Sequence, residues 1–102
     1  METMITARHG EIAEPLRART ERVVERLARL TKRPTAAHVT FGMDHQRATV
    51  EVRLTAARGA LHVASAEAAD HRTALDRAAQ KLRRQLDKQE PNPRRRAGSA
   101  RR

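Results

Sequence analysis

The sequence predicts an α+β domain, in the order β-α-β-β-β-α, with a four-stranded mixed sheet and two helices packed on one of its faces. Apolar residues recur at helical spacing over residues 11–33 and again over residues 70–89, and they alternate over residues 37–66. A helix joins the first strand to the second, so these two strands should pair in parallel. Short connections make the later strands an antiparallel meander whose other face meets water.

The first strand and the first helix are predicted from the N-terminal segment. Residues 4–8 are short and β-prone, which favours a strand. In the helix that follows, Pro15 suits the first turn, where its missing N–H donor is not needed. Lys32 and Arg33 suit the last turn, and Pro34 ends the helix. The apolar face of this predicted helix consists of Ile12, Leu16, Val23, Leu27 and Leu30.

Three further strands and a second helix follow. Turns are predicted at residues 44–46 and at Arg58-Gly59. Asp70 can serve as the N-cap of the second helix, and Pro91 ends it. The alternating strand positions are Ala37, Val39, Phe41 and Met43, then Ala48, Val50, Val52 and Leu54, then Leu61, Val63 and Ser65. The apolar face of the second helix consists of Leu75, Ala78, Leu82 and Leu86.

The composition excludes several classes of protein. The chain has 102 residues, and its 22 Lys and Arg exceed its 12 Asp and Glu, giving a net charge of +10. The sequence contains no Cys, which excludes disulfides, a thiolate metal site and a thiol nucleophile. No apolar run approaches the roughly 18 residues that a membrane span requires. We therefore expect a small cytoplasmic protein with a polyanionic partner and no membrane contact.

The C-terminal segment is expected to be separate from the folded domain. Residues 90–102 contain five Arg and one Glu, a net charge of +4, which leaves +6 for residues 1–89. The segment has two Pro and no large apolar side chain, so it cannot offset its ordering entropy by burial. We expect a folded domain over 1–89 and a disordered, Arg-rich tail over 90–102.

Basic residues form a row on each predicted helix. Segregation of charge by sign costs self-repulsion, which bound phosphate would offset, although ordinary solvated helix faces remain the alternative. Both helices should cover the same sheet face, so the rows are expected to merge into one cationic surface. The first basic row consists of Arg19, Arg22, Arg26, Arg29 and Arg33. The second basic row consists of Arg77, Lys81, Arg84 and Lys88.

The scarcity of aromatic residues indicates which kind of nucleic acid fits. Single strands are usually bound by stacking bases on aromatic side chains, and Phe41 is the only aromatic residue among Phe, Trp and Tyr. Structured RNA or DNA, recognised through its backbone and shape by Arg and Lys, is the better fit.

The order of residues in the second helix resembles a known family. Asp70, then residues 73–75, then residues 81–88 (Lys-Leu-Arg-Arg-Gln-Leu-Asp-Lys) are similar to the C-terminal half of the short ribosome hibernation-promoting factors. These proteins are also called ribosome-associated inhibitor, protein Y or sigma-54 modulation proteins. Residues 5–17 are similar to the opening of that family, so the resemblance covers nearly residues 3–89.

The resemblance implies a β-α-β-β-β-α fold, which agrees with the order predicted from periodicity. It also implies binding to the small ribosomal subunit, in the channel for mRNA and tRNA, which stops translation and preserves idle ribosomes under stress. Carried over from the family, Lys81, Arg84 and Lys88 would contact rRNA phosphates. The helix faces add Arg77, Arg22, Arg26 and Arg29 as further RNA-binding candidates.

Two departures from the family pattern have consequences. The family commonly has Met-Tyr after the aspartate, whereas His71 and Arg72 stand here. The tyrosine of the family is therefore replaced, and Arg72 is a further candidate for phosphate contact. Long family members carry a C-terminal domain that pairs two ribosomes, and the resemblance implies a short member that is expected to lack it. The tail is expected either to lie along rRNA or to interfere with another hibernation factor.

Other chemistry has little support in the sequence. The five His (His9, His38, His45, His62 and His71) lack the spacing of a compact metal site, and no glycine motif for nucleotides is present. We expect no catalytic residues, no metal, no cofactor and no small-molecule substrate. Two alternatives stay open: a general structured-RNA or DNA-binding module of the same fold, and a protein adaptor that uses the polar sheet face.

Overall fold

The computed structural model describes residues 1–8 and 10–89, and it has the predicted order of elements. His9 and the predicted tail, residues 90–102, lie outside the described residues. The elements are β1 (Glu2–Ala7), α1 (Glu14–Ala28), β2 (Pro34–Asp44), β3 (Arg47–Ala56), β4 (Leu61–Ala68) and α2 (His71–Gln89), and a 3₁₀ turn lies at Ala57–Gly59.

The four strands form one mixed sheet in the order β1-β2-β3-β4. β1 pairs with β2 in parallel, whereas β2 with β3 and β3 with β4 are antiparallel. This arrangement confirms the parallel crossover through α1 and the meander. Both predicted turns are also present: His45 and Gln46 form a two-residue hairpin loop with φ of 50° and 65°, and Arg58 has a φ of 64°.

The core lies between one face of the sheet and the two helices. Leu75, Leu82 and Leu86 of α2 are fully buried against this face, as the helical period predicts. On α1 the most deeply buried side chains include Thr20, whose hydroxyl donates a hydrogen bond of 2.7 Å to the Leu16 carbonyl and so satisfies its polar group. Large apolar side chains thus anchor α2 along its length, whereas the buried face of α1 includes a hydrogen-bonded threonine.

The strand positions named from the sequence for β4 were Leu61, Val63 and Ser65, but the buried side chains of this strand lie between them. Leu61 is 49% exposed, whereas His62 and Ala64 are buried. The register explains this, because Leu54 pairs with His62 and Val52 with Ala64, which places each pair on the same face of the sheet. The outer positions of β4 consequently lie on the solvent face.

α1 ends earlier than the sequence predicts. The helix stops at Ala28 with Arg29 as its C-cap, so Lys32 and Arg33 are not in its last turn. A residue that precedes proline is disfavoured in the α conformation, and β2 already begins at Pro34, so the chain must reverse within a few residues. Arg33 adopts a φ of 49° in this reversal and leaves the first basic row.

Candidate nucleic-acid interface

The second basic row lies beside the outer edge of the sheet. The Arg77 guanidinium donates a hydrogen bond of 3.1 Å to the Glu67 carbonyl, and the Lys81 ammonium donates one of 3.0 Å to the Ser65 carbonyl. The Gln85 amide continues the series with a bond of 2.8 Å to the carbonyl of Val63.

This series is regular because two repeats nearly match. Four helical residues advance about 6.0 Å, and two strand residues advance about 6.7 Å, so every fourth side chain of α2 meets every second carbonyl of β4. The unpaired carbonyls of the edge strand thereby gain donors, and the edge is covered against pairing with another chain. The basic groups remain exposed while their positions are held.

The remaining members of the second basic row, Arg84 and Lys88, are also exposed. Arg77 and Lys88 are separated by 11 residues, so the four basic side chains follow about 16 Å of helix. The row is thus a continuous cationic ridge along α2, next to β4.

The first basic row borders a different feature, the groove between α1 and α2. The groove has a volume of about 480 Å³ and an apolar floor that includes Val23, Leu27 and Leu30. Its polar rim consists of Arg19, Arg22 and Arg26 from α1 and of Asp76, Gln80 and Arg83 from α2.

An ion pair crosses this groove. Arg19 donates two parallel hydrogen bonds to Asp76, from Nε to Oδ1 at 3.1 Å and from an Nη atom to Oδ2 at 2.8 Å. The hydrogen bond to Asp76 and then its negative charge raise the pKa of the Arg19 guanidinium above its ordinary value. Arg19 is therefore used to join the two helices.

The expected merging of the two basic rows is wrong. α2 directs Asp76 and Arg83 toward α1, whereas Arg77 and Lys81 bond to β4 on another side of the same helix. Adjacent helical residues diverge by about 100°, so Asp76 and Arg77 contact different elements. The surface has two cationic strips with an acid between them, and Arg83, which lies outside both rows, joins the strip on α1.

The start of α2 is fixed by local and tertiary bonds. Asp70 is its N-cap, as predicted: one carboxylate oxygen accepts from the Thr73 N–H at 2.7 Å and the other from the Thr73 hydroxyl at 3.1 Å. These bonds lower the pKa of Asp70. The Nε2 atom of His71 donates a hydrogen bond of 2.8 Å to the Gly42 carbonyl, and the ring packs edge-on against Phe41. His71 thus ties α2 to β2, and the adjacent Arg72 is exposed.

Among the described histidines, His38, His62 and His71 are bonded or buried within the fold, whereas His45 is exposed in the β2–β3 hairpin loop. The His38 ring nitrogen Nε2 is 2.9 Å from the Thr6 hydroxyl, and His62 is buried near the start of β4. Within residues 1–8 and 10–89, no group of three or more His, Asp or Glu side chains could hold a metal ion. Neither helix described by the structure is long and apolar enough to cross a membrane.

Comparison with known proteins identifies the family. The model of the family described as sigma 54 modulation protein / S30EA ribosomal protein matches residues 3–91. A ribosomal subunit interface protein from Coxiella burnetii has the same fold, with a TM-score of 0.76 and 24% identity over 90% of this chain and 100% of that chain. The N-terminal domain of Protein Y from Thermus thermophilus gives a TM-score of 0.73 and 27% identity over 86% of this chain and 98% of that one. A search of curated proteins finds no match. The chain belongs to the sigma 54 modulation protein / S30EA ribosomal protein family.

Proposed function

We propose that this chain binds the small ribosomal subunit through rRNA phosphates in the channel for mRNA and tRNA. The bound protein blocks the decoding region, inhibits translation and stabilises idle ribosomes under stress or in stationary phase. The observation that carries the proposal is the family match over residues 3–91, since membership of a ribosomal protein family supports a ribosome-associated function. A similar solved structure is that of a ribosomal subunit interface protein.

The second basic row supports phosphate contacts by its geometry. Hydrogen bonds to β4 hold Arg77 and Lys81, so less side-chain entropy is lost when a phosphate binds. Arg84 and Lys88 extend the same exposed ridge. A row of cations in which two members are held in place suits the phosphates of a folded RNA better than it suits a flexible single strand.

The first basic row supplies a second contact region. Arg22 and Arg26 are exposed at the groove, Arg83 faces them from α2, and Arg29 is exposed at the end of α1. Two separate cationic strips can contact two segments of a folded RNA. A single flat cationic surface is therefore not required for the proposal.

The proposed mechanism is steric and involves no catalysis. The domain occupies space that mRNA and tRNA need, and no covalent bond is made or broken. The proposal places the protein in the cytoplasm with rRNA as its direct partner. Other hibernation factors are proposed neighbours on the same ribosome.

Co-sedimentation with small ribosomal subunits at several salt concentrations tests the proposal. If six to ten phosphates are neutralised, affinity should fall by roughly 10³–10⁵ between 50 and 200 mM salt, by analogy with DNA. Binding that does not respond to salt would contradict phosphate recognition.

A competition experiment tests the location. Subunits loaded with mRNA and tRNA should exclude the protein, and simultaneous binding of all three would place the protein outside the channel. Duplex RNA and duplex DNA serve as controls. Equal affinity for these duplexes and for subunits would favour the general nucleic-acid-binding module.

A further inference from the structure

The two edges of the sheet differ in how they are covered. At the β4 edge, side chains of α2 donate hydrogen bonds to the carbonyls of Val63, Ser65 and Glu67. At the other edge, β1 pairs with β2 on one side only. An uncovered strand edge presents unpaired N–H and C=O groups, which can pair with a further strand. The β1 edge is therefore the place where the sheet can be extended.

The hydrogen bonds of β1 show which of its backbone groups face the free edge. The Arg8 N–H donates a bond of 2.9 Å to the Phe41 carbonyl, so Arg8 directs its backbone groups toward β2. Direction alternates from residue to residue along a paired strand, and the groups of Thr3, Ile5 and Ala7 consequently point away from β2. Within residues 1–8 and 10–89, no hydrogen bond reaches these outward groups.

β1 has none of the usual features that protect an open edge. Edge strands are commonly protected by Pro, by a charged side chain or by a β-bulge. Residues 3–7 contain no Pro and no charged side chain, and β1 pairs with β2 without a shift of register. Met4 is 54% exposed on the outer face of this strand. Such an edge is suited to pairing with another chain.

The core side of β1 is also incompletely covered. Ile5 lies in one row with Val39 and Val52 across the sheet. Both valines are fully buried, whereas Ile5 is only half-buried. A further strand next to β1 would cover more of the Ile5 side chain, and the burial of this apolar surface would favour the pairing.

The two ends of β1 carry opposite charges on the same face. Glu2 and Arg8 are separated by an even number of residues and so lie on the outer face together, with the Arg8 stem near Gly42. Neither has an ion-pair partner among the described residues. In two antiparallel copies of the strand related by a two-fold axis at Ile5, Glu2 of each copy stands opposite Arg8 of the other. The strand is thus complementary in charge to itself.

One two-fold register uses the whole strand. The outward groups all belong to odd-numbered residues, so the numbers of two opposite residues must add to an even number. Registers centred one residue earlier or later place Arg8 or Glu2 opposite a residue outside the segment 2–8. The register centred on Ile5 pairs Thr3 with Ala7 and Ile5 with its own copy, and it forms about six main-chain hydrogen bonds.

The basic rows of the two copies lie away from this edge. The second basic row is beside β4, three strands and about 14 Å from β1. The first basic row borders the groove that faces α2. The Debye length is about 8 Å at 0.15 M salt, so repulsion between the rows of two copies is largely screened. An antiparallel pair about a two-fold axis also closes on itself, which limits the assembly to a dimer.

We propose that two copies of this chain associate by antiparallel pairing of their β1 edges, centred on Ile5, which joins their four-stranded sheets into one. Glu2 of each copy pairs with Arg8 of the other, and the two Ile5 side chains cover each other on the helix side. A strand pair of this length buries less than the roughly 1,600 Å² of a standard interface, so we expect a dissociation constant of roughly 10–100 μM. The inference goes beyond the proposed function and does not depend on ribosome binding.

Sedimentation equilibrium of the nuclease-treated full chain at 0.15 M salt tests the dimer. The average mass should rise toward twice that of one chain between about 5 and 500 μM. Thr3→Pro removes an outward N–H that does not bond to β2, so the variant should stay folded, which circular dichroism checks, and should dimerise about tenfold more weakly or worse. A parent chain that stays monomeric throughout, or a dimer that Thr3→Pro leaves unchanged, would overturn the proposal.

Charge reversal tests the register. Glu2→Arg and Arg8→Glu each place like charges opposite one another at both ends of the interface, so each should weaken the dimer by about tenfold. The double variant keeps the net charge of the parent and should restore its affinity. Glu67→Arg, at the β4 edge, is the matched control for net charge and should change the affinity by less than about twofold. A double variant as weak as the single ones, or a control as weak as Glu2→Arg, would contradict this register.

Hydrogen exchange of the backbone amides identifies the pairing strand. The amides of Thr3, Ile5 and Ala7 should gain protection as the protein concentration rises, because these N–H groups bond only in the dimer. The amides of Met4 and Thr6 already bond to β2 and should change much less. Protection that increases on β4 or α2 and not on β1 would place the contact elsewhere and overturn the proposal.

Discussion

The two basic rows have similar spacing along their helices, but the fold gives them different neighbours. The second basic row lies on the rim of the sheet, where Arg77 and Lys81 bond to β4 carbonyls. The first basic row borders the interhelical groove, where Arg19 is paired with Asp76. A row of like charges in a sequence thus predicts a cationic strip, and the neighbouring elements decide how strongly it can attract an anion.

The helices that carry the rows also differ in anchoring. α2 begins at a side-chain cap from Asp70 and buries its leucines completely. α1 begins after Ala13, which makes no side-chain cap, and several of its apolar residues are only half-buried. The second basic row is therefore presented on the more firmly held helix.

The largest expected effect on ribosome affinity comes from substituting each basic row in turn, which compares the two rows directly. Simultaneous Ala substitution of Lys81, Arg84 and Lys88 should lower ribosome affinity by about 10²–10³ at 0.1 M salt, since three phosphate contacts are lost. The same change at Arg22, Arg26 and Arg29 should cost about tenfold, because the carboxylate of Asp76 borders this strip and weakens its attraction for phosphate. Co-sedimentation measures both, with circular dichroism as the check on folding. Equal losses would remove the distinction between the rows.

Asp76→Asn sharpens this comparison without removing a cation. Loss of the carboxylate charge frees Arg19 and makes the groove more positive, so ribosome affinity should rise by a few-fold and depend more steeply on salt. An unchanged salt dependence would show that the groove does not face RNA. Asp87→Asn, also on α2, is the matched control for the change in net charge.

A smaller effect, on stability alone, distinguishes the covering of the β4 edge by α2 from RNA binding. Gln85→Ala removes the uncharged member of the series that bonds to β4, so urea unfolding should show a loss of about 1 kcal/mol. Ribosome affinity and its salt dependence should not change, because no cation is removed. A loss of affinity would mean that this position itself contacts the ribosome.

The smallest effect concerns the cap of α2 and its dependence on pH. The folded pKa of Asp70 lies below its ordinary value near 3.9, so its stabilising effect is complete above that value and is lost as the pH falls through the folded pKa. Asp70→Ala should therefore be less stable than the parent at pH 7, and the gap should close in strong acid. Urea unfolding between pH 7 and pH 2 measures it.

Asp70→Asn is the control for the cap, since it keeps the capping geometry without a titrating carboxylate. The parent should lose stability relative to this variant as the pH falls. A constant difference across the whole range would show that the carboxylate charge makes no contribution.

Local patterns were predicted well because their causes are local. The cap at Asp70 needs only a donor three residues later, and the leucine spacing of α2 follows from the helical repeat. The parallel pairing of β1 with β2 followed from the intervening helix. The early end of α1 was missed because the apolar period continues to Leu30, and the strand that begins at Pro34 overrides it.

The sequence by itself determined the order of elements, the buried face of α2, the existence of two basic rows and the resemblance to the family. Only the tertiary structure decided that the rows lie apart, that Arg83 joins the first strip, and that α2 covers the β4 edge of the sheet rather than the β1 edge. Periodicity fixes directions around a single helix axis, whereas the contacts between helices, strands and turns depend on how separate elements pack.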